Sequence, residues 1–139
     1  METINSVKRS NVPESERLDI TEKLFGMHWP LKLEPVIYGI TAHMAEDYQG
    51  GYWEFYTLDN GGFYMAPDTD RTFAVSSMNQ WQGQLSADAL GIVVCVTAYS
   101  HLSFGGPESF ARTCANHYHM LREFMYDHPE VSNVLSAID

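Results

Sequence analysis

The groups of this 139-residue chain that could do chemistry are six histidines, two cysteines and eighteen carboxylates, and their spacing decides which reactions to consider. His43 and Glu46 stand three apart in a stretch of helical period, and His117-Tyr118-His119 adds two imidazoles. Imidazole and carboxylate suit zinc. His117 and His119, however, cannot share one helical face, and solvated or hydrogen-bonded histidines explain the same residues. Cys95 and Cys114 sit among apolar neighbours. A nucleophilic thiol needs a helix N-terminus or a neighbouring cation to lower its pKa. Neither cysteine has one in sequence, so both read as small core hydrophobes. Ser100-His101 has no identifiable third member of a triad. Asp68 and Asp70 could ligate a cation or touch a basic partner, but their Pro-Asp-Thr-Asp setting reads as a solvated turn. Gly61-Gly62 and Gly105-Gly106 fit no phosphate loop. No catalytic residue, metal or cofactor is assigned on these grounds.

The elements that must position such groups follow from period and punctuation. Residues 1–13 are polar, end at Pro13 and read as a flexible terminus preceding a single domain over 14–139. From Glu14 the apolar residues Leu18, Leu24 and Phe25 give a helix that ends at Gly26, and His28-Trp29-Pro30 is a break. A second helix starts at Glu34-Pro35, with proline in its first turn, and is expected to stop at Gly50-Gly51.

The period then changes to two. Tyr52–Leu58, Phe63–Ala66 and Arg71–Ser77 read as three strands of an antiparallel meander, joined by Asp59-Asn60-Gly61-Gly62 and by Pro67–Asp70. Residues 79–85 read as a polar connector. Ser86 caps a helix over 87–99 that is apolar almost all round, with Asp88 complementing its dipole. Two more helices follow, one carrying the stripe Phe110, Cys114, Tyr118, Leu121 and Met125, and a short one over 129–138. The expected fold is α+β, a single domain with a three-stranded antiparallel meander packed against four to five helices.

Alternation sorts the aromatics of the meander. Trp53, Phe55, Phe63 and Phe73 are expected in the core. Tyr52, Glu54, Tyr56 and Tyr64 then fall on the opposite face, which is expected to be exposed. Tyrosine is enriched at protein interfaces. With Asp59, Asp68 and Asp70 these residues form the candidate interaction surface, suited to a basic partner.

The formal net charge is -10, which argues against a protein that grips nucleic acid through its phosphates. Residues 1–70 hold twelve acids against five bases, and residues 71–139 six against three, so the acids are scattered. Duplex DNA carries about one charge per 1.7 Å of axis, a density that scattered carboxylates on a compact domain do not match. Full DNA mimicry is therefore not expected. Met1–Asn11 lacks the apolar core of a secretory signal, and the most apolar run, Ala87–Tyr99, is shorter than the roughly 20 residues that span a bilayer. A cytoplasmic monomer is expected.

Three blocks together resemble a known family. Gly50-Gly51-Tyr52-Trp53-Glu54-Phe55-Tyr56 with Asn60-Gly61-Gly62-Phe63-Tyr64-Met65 is similar to the signature hairpin of the ArdB/KlcA antirestriction proteins. Leu85–Gly91 resembles their next block and Phe110–Tyr126 their long C-terminal helix, with KlcA-type members the most alike. The resemblance runs from about Phe25 to the C-terminus. It implies an acidic, plasmid-type protein that relieves type I restriction-modification in the host without mimicking DNA. It supplies no catalytic residue and no metal. Two expectations follow. The first is a non-enzymatic inhibitor in protein–protein contact, direct or indirect, with the type I restriction-modification enzyme. The second is a small metal- or thiol-dependent enzyme acting indirectly on restriction.

Overall fold

The computed structural model describes residues 6–139. Helix α1 (Arg17–Phe25) is entered through one 3-10 turn, and a wide turn at Trp29–Leu33 leads directly into α2 (Glu34–Met44). Strands β2 (Trp53–Leu58) and β3 (Phe63–Pro67) form a hairpin, and β1 (Arg9–Asn11) adds to the free edge of β2. Strands β4 (Thr72–Ser76) and β5 (Gln82–Ser86) make a separate two-stranded hairpin. Helices α3 (Ala87–Leu102), α4 (Glu108–Met125) and α5 (Val131–Ile138) complete the chain. The class is α+β in a single domain, as expected, with a three-stranded antiparallel sheet and five helices.

The membership of that sheet differs from the sequence reading. Its third strand is not 71–77 but β1, whose Ser10 lies opposite Thr57. Arg9, Ser10 and Asn11 are all exposed, so no apolar period marks them as a strand. Of the terminus read as flexible, residues 1–5 lie outside the described residues and residues 9–11 are this strand. The connector 79–85 holds all of β5 but its last residue, Ser86, and β5 pairs with β4 from Thr72↔Ser86 to Ser76↔Gln82. Only Leu85 of β5 is buried, which leaves too few apolar residues to show alternation. Helix α2 stops at Met44, ahead of the glycines, because Ala45 turns to extended backbone at φ -117, ψ 94. The expected break at His28–Pro30 is the wide turn, closed by the Glu34 N–H on the Trp29 carbonyl.

Helix α3 is the axis of the core. Ser86 Oγ caps it by accepting the Ala89 N–H at 3.1 Å. Eleven of its sixteen residues are buried, as an all-round apolar pattern requires. It crosses β3 so closely that a Cβ on Gly91 would sit 2.4 Å from the Met65 carbonyl oxygen and 2.4 Å from Ala66 Cβ. One and two turns further along the same stripe, the Cys95 thiol faces the Met65 carbonyl at 3.6 Å and the Tyr99 hydroxyl donates to the Phe63 carbonyl at 2.7 Å. Side chains of α3 thus satisfy backbone acceptors of a strand whose five residues are all buried.

The two faces of the β2–β3 hairpin have different covers. Trp53, Phe55, Phe63 and Met65 share one face, where Phe55 and Phe63 meet Trp29 edge-on at 5.6 and 5.4 Å. The other face carries Glu54, Ala66, Tyr56 and Tyr64, and Phe124 of α4 lies over Tyr64 at 5.5 Å. The hairpin tip is tied to α4, since Asn60 accepts the Gly62 N–H at 3.0 Å and donates to the Met120 carbonyl at 2.9 Å. Phe73, expected beside Trp53 in the sheet, is buried instead in the second hairpin, 6.3 Å from Tyr48. Among the described residues no helix is long and apolar enough to cross a membrane.

Gly91→Ala is expected to lower stability by about 2 kcal/mol or more through overpacking. Tyr99→Phe, which leaves a buried carbonyl unpaired, is expected to cost about 1–2 kcal/mol. Urea denaturation followed by circular dichroism measures both.

Candidate interaction surface

A polar cluster joins four distant parts of the chain. Arg9 of β1 donates through Nη1 to Asp88 Oδ1 at 2.7 Å and to the Tyr64 hydroxyl at 2.5 Å, and that hydroxyl donates to Asp88 Oδ1 at 2.8 Å. His128, in the turn before α5, meets Asp88 Oδ2 through Nε2 at 2.9 Å. Its Nδ1 accepts the Glu130 N–H at 3.0 Å, which puts the ring proton on Nε2, toward Asp88. Glu130 in turn accepts the Ser86 N–H at 3.0 Å and the Ser86 hydroxyl. Burial alone would raise the Asp88 pKa, but the bonds from His128 and Tyr64 and the Arg9 charge outweigh it and hold the carboxylate below its ordinary value. Burial and the adjacent Asp88 push the Tyr64 phenol far up.

The composition of this cluster, Asp with His, Tyr, Arg and Ser, is that of many active sites. Its bonding is different. Both ring nitrogens of His128 are engaged, both Asp88 oxygens accept, and the Ser86 hydroxyl is shared between Glu130 and the cap of α3. A general base needs a free lone pair facing a substrate, and this set spends its lone pairs on holding β1, β3, α3 and the α4–α5 turn together. Sequence reasoning found Ser86 and Asp88 through helix capping. It missed Arg9, which is 79 residues from Asp88 and carries no local signal.

The remaining chemical candidates are dispersed. His117 is 4% exposed and lies between Phe25 and Tyr99 at 4.8 and 5.4 Å, while His43, Glu46 and His119 are exposed elsewhere. Among the described residues no three His, Cys, Asp or Glu side chains gather as metal ligands would. Burial raises the Cys95 thiol to about 12 and the Cys114 thiol to about 11, so both are protonated and lack the thiolate a nucleophile needs. His101 is exposed at the far end of α3 and Ser100 is half-buried there.

The residues of the candidate surface fall into three places. Tyr64 is fully buried, against the expectation of an exposed tyrosine face, because α4 covers that end of the sheet and Tyr56 stacks on it at 5.1 Å. Tyr56 is half-buried beneath the Arg9 guanidinium, 4.2 Å from its ring centre. At the other end of β2, Tyr52 is exposed, Glu54 is half-buried and Asp68 is exposed, with the Asp68 N–H on the Tyr52 carbonyl at 2.8 Å. Asp70 is exposed in the turn after β3. Asp59 is exposed at the hairpin tip, where its carboxylate holds the Lys8 N–H at 3.1 Å. Tyr52, Glu54 and Asp68 thus form one patch, and Asp59 and Tyr64 do not belong to it.

All five arginines are ion-paired: Arg9 with Asp88, Arg17 with Glu54, Arg71 with Asp47, Arg112 with Glu108 and Arg122 with Asp139. Phosphate binding relies on cations that are free to meet the backbone, and the arginines here already face carboxylates.

Residues 46–139 match the family model described as antirestriction protein. This chain belongs to the antirestriction protein family. The antirestriction protein KlcA of Escherichia coli is 38% identical over 136 residues, which cover 96% of this chain and 95% of KlcA. YafX of Escherichia coli strain K12 is 42% identical over 133 residues, covering 92% and 85% respectively. A solved structure from work on the KlcA and ArdB proteins matches with a TM-score of 0.89 at 36% identity over the whole of both chains. Those two proteins are described as showing a novel fold and antirestriction activity against Type I DNA restriction systems in vivo but not in vitro. The antirestriction model begins just after α2 and takes in both hairpins, α3, α4 and α5, and with them all of the cluster except Arg9.

Burial holds the His117 imidazole neutral and pushes its pKa down to about 4. The unfolded chain, with an ordinary histidine near 6.5, takes up a proton first as the pH falls. Stability is therefore complete above about 6.5 and declines toward about 4, by on the order of 3 kcal/mol in all. Urea midpoints at pH 7 and pH 5 should differ in the native protein, and His117→Phe should remove most of that difference.

Proposed function

We propose that this chain relieves type I restriction in the cell by stoichiometric protein–protein contact, without catalysis and without imitating DNA. Family membership and the activity described for KlcA and ArdB support the type I target. The observation that carries the mode of action is the state of the charged groups. The arginines are paired with carboxylates, the thiols are buried and protonated, and the cluster of catalytic composition around Asp88 is bonded internally. The exposed charged groups that remain are mostly acids, with Lys8 and Lys23 among them, and together with the tyrosine–carboxylate patch they suit a basic protein surface.

A further observation favours an indirect form of this contact. The relatives act in vivo but not in vitro. A contact that needs a cellular component missing from a purified restriction reaction behaves in this way.

Plating of unmodified phage on a host with a type I system tests the reading, with expression of the chain under graded control. Relief should reach several orders of magnitude and should fall in step with protein level once the chain no longer exceeds its target. Relief that persists at trace levels would mark a catalyst and contradict the proposal.

A further inference from the structure

A cleft of about 600 Å³ opens between α1, the turn that follows it and strand β2. Buried Phe55, Trp29 and Thr21 form its floor, and Leu18 and Met27 line it while remaining 83% and 68% exposed. Leu31, also 68% exposed, lies one turn beyond Met27, since its N–H bonds to the Met27 carbonyl at 3.3 Å. Seven large apolar side chains are exposed among the described residues, and four of them, Leu18, Met27, Leu31 and Tyr52, gather at this end. Scattered exposed hydrophobes need no explanation, but a group around a cleft marks a binding surface. Methionine is flexible enough to mould to a partner.

The charges around the cleft select the occupant. The Arg17 guanidinium lies 4.8 Å from the Tyr52 ring and 4.3 Å from the Phe55 ring, and Glu54 binds it at 3.1 Å. Its charge is thereby neutralised. Glu22 and Glu34 also line the cleft, and neither is ion-paired among the described residues. An apolar floor beneath an acidic rim complements a segment with apolar anchors flanked by cations. A second copy of this chain would bring the same acids to the contact and carries a formal charge of -10, so like-charge repulsion opposes it.

We infer that this cleft docks a basic amphipathic helix of the protein targeted in restriction relief, with a leucine-sized anchor on Phe55 and Trp29 and lysine or arginine side chains against Glu22 and Glu34. The inference rests on the protein-contact reading and gives that partner its chemistry.

The probe is a short labelled helical peptide with leucines on one face and lysines on the other. Its control has serine in place of leucine at equal charge. The full chain should bind the leucine peptide at least ~10-fold more tightly than the serine peptide, a difference of about 1.4 kcal/mol. The amide signals of Leu18 and Met27 and the Trp29 indole signal should shift. L18K/M27K, at exposed positions that folding does not need, should weaken binding by at least ~10-fold. Glu22→Lys should weaken it several-fold and serves as the independent variant if the first does not fold. N116K/S132K adds the same charge elsewhere and should leave binding unchanged. Equal binding of the two peptides, shifts confined to other surfaces, or full binding by both L18K/M27K and Glu22→Lys would overturn the inference. So would a dimer in sedimentation that L18K/M27K abolishes, because the occupant would then be a second copy. In phage plating, L18K/M27K should lose relief while N116K/S132K keeps it, and full relief by a folded L18K/M27K would overturn the inference. Peptide binding as described from a chain that gives no relief would support the docking surface and count against the functional reading alone.

Discussion

Helix α3 and strand β3 approach to a distance at which only hydrogen fits on the Cα of residue 91. Two consequences follow from that one contact. An apolar helix can lie against a buried strand without a gap, and its side chains come within reach of the strand's carbonyls. The Cys95 thiol facing the Met65 carbonyl and the Tyr99 hydroxyl on the Phe63 carbonyl lie one and two helical turns beyond Gly91. Backbone acceptors that water would otherwise satisfy are met from within the core, which is what allows β3 to be buried along its whole length. Interiors packed to this density transmit strain and do not absorb it, so the position of α3 fixes the position of everything that leans on it.

The polar cluster is the most visible dependent. Ser86 and Asp88 enter α3 as its cap and first turn, and from there they reach Glu130 and His128 on one side and Tyr64 and Arg9 on the other. Low local dielectric strengthens such a network when every member has a partner and penalises it when one is lost. Its role is to bind the first strand and the last helix to the same end of α3. An arrangement with the residues of an active site is therefore a clasp, and the exposed Tyr52 and Asp68 lie at the opposite end of β2 from it.

What the sequence showed and concealed divides along the same physical line. Local signals were legible: the Ser86 cap, the helical stripe from Phe110 to Met125, the Asp59–Gly62 hairpin and the all-round apolar α3. The family blocks around Tyr52–Tyr56 and Leu85–Gly91 were legible because they carry these signals together. Arg9–Asn11 and Gln82–Ser86 were not, since strands that bury one residue or none leave no alternation to read. Tyr64 shows the limit of alternation. Its face of the sheet was assigned correctly from period two, but whether a face is covered depends on α4, which arrives some 60 residues later in the chain to pack on it. The α1 cleft was hidden for the same reason. Its lining comes from α1, the turn after it, the start of α2 and strand β2, and sequence period separates apolar from polar faces without showing that an apolar face lacks a cover.

An acidic surface is often taken to mean imitation of DNA, but here the carboxylates are scattered and five of them face arginines. The central claim is that the chain acts by touching a protein. It is tested most directly in living cells that restrict unmodified DNA, by replacing exposed Tyr52 with a photo-reactive phenylalanine analogue and irradiating while restriction is being relieved. The account predicts a discrete adduct between this chain and another polypeptide that survives nuclease and is removed by protease. Adducts that nuclease destroys, or the absence of any adduct from a chain that still relieves restriction, would contradict it.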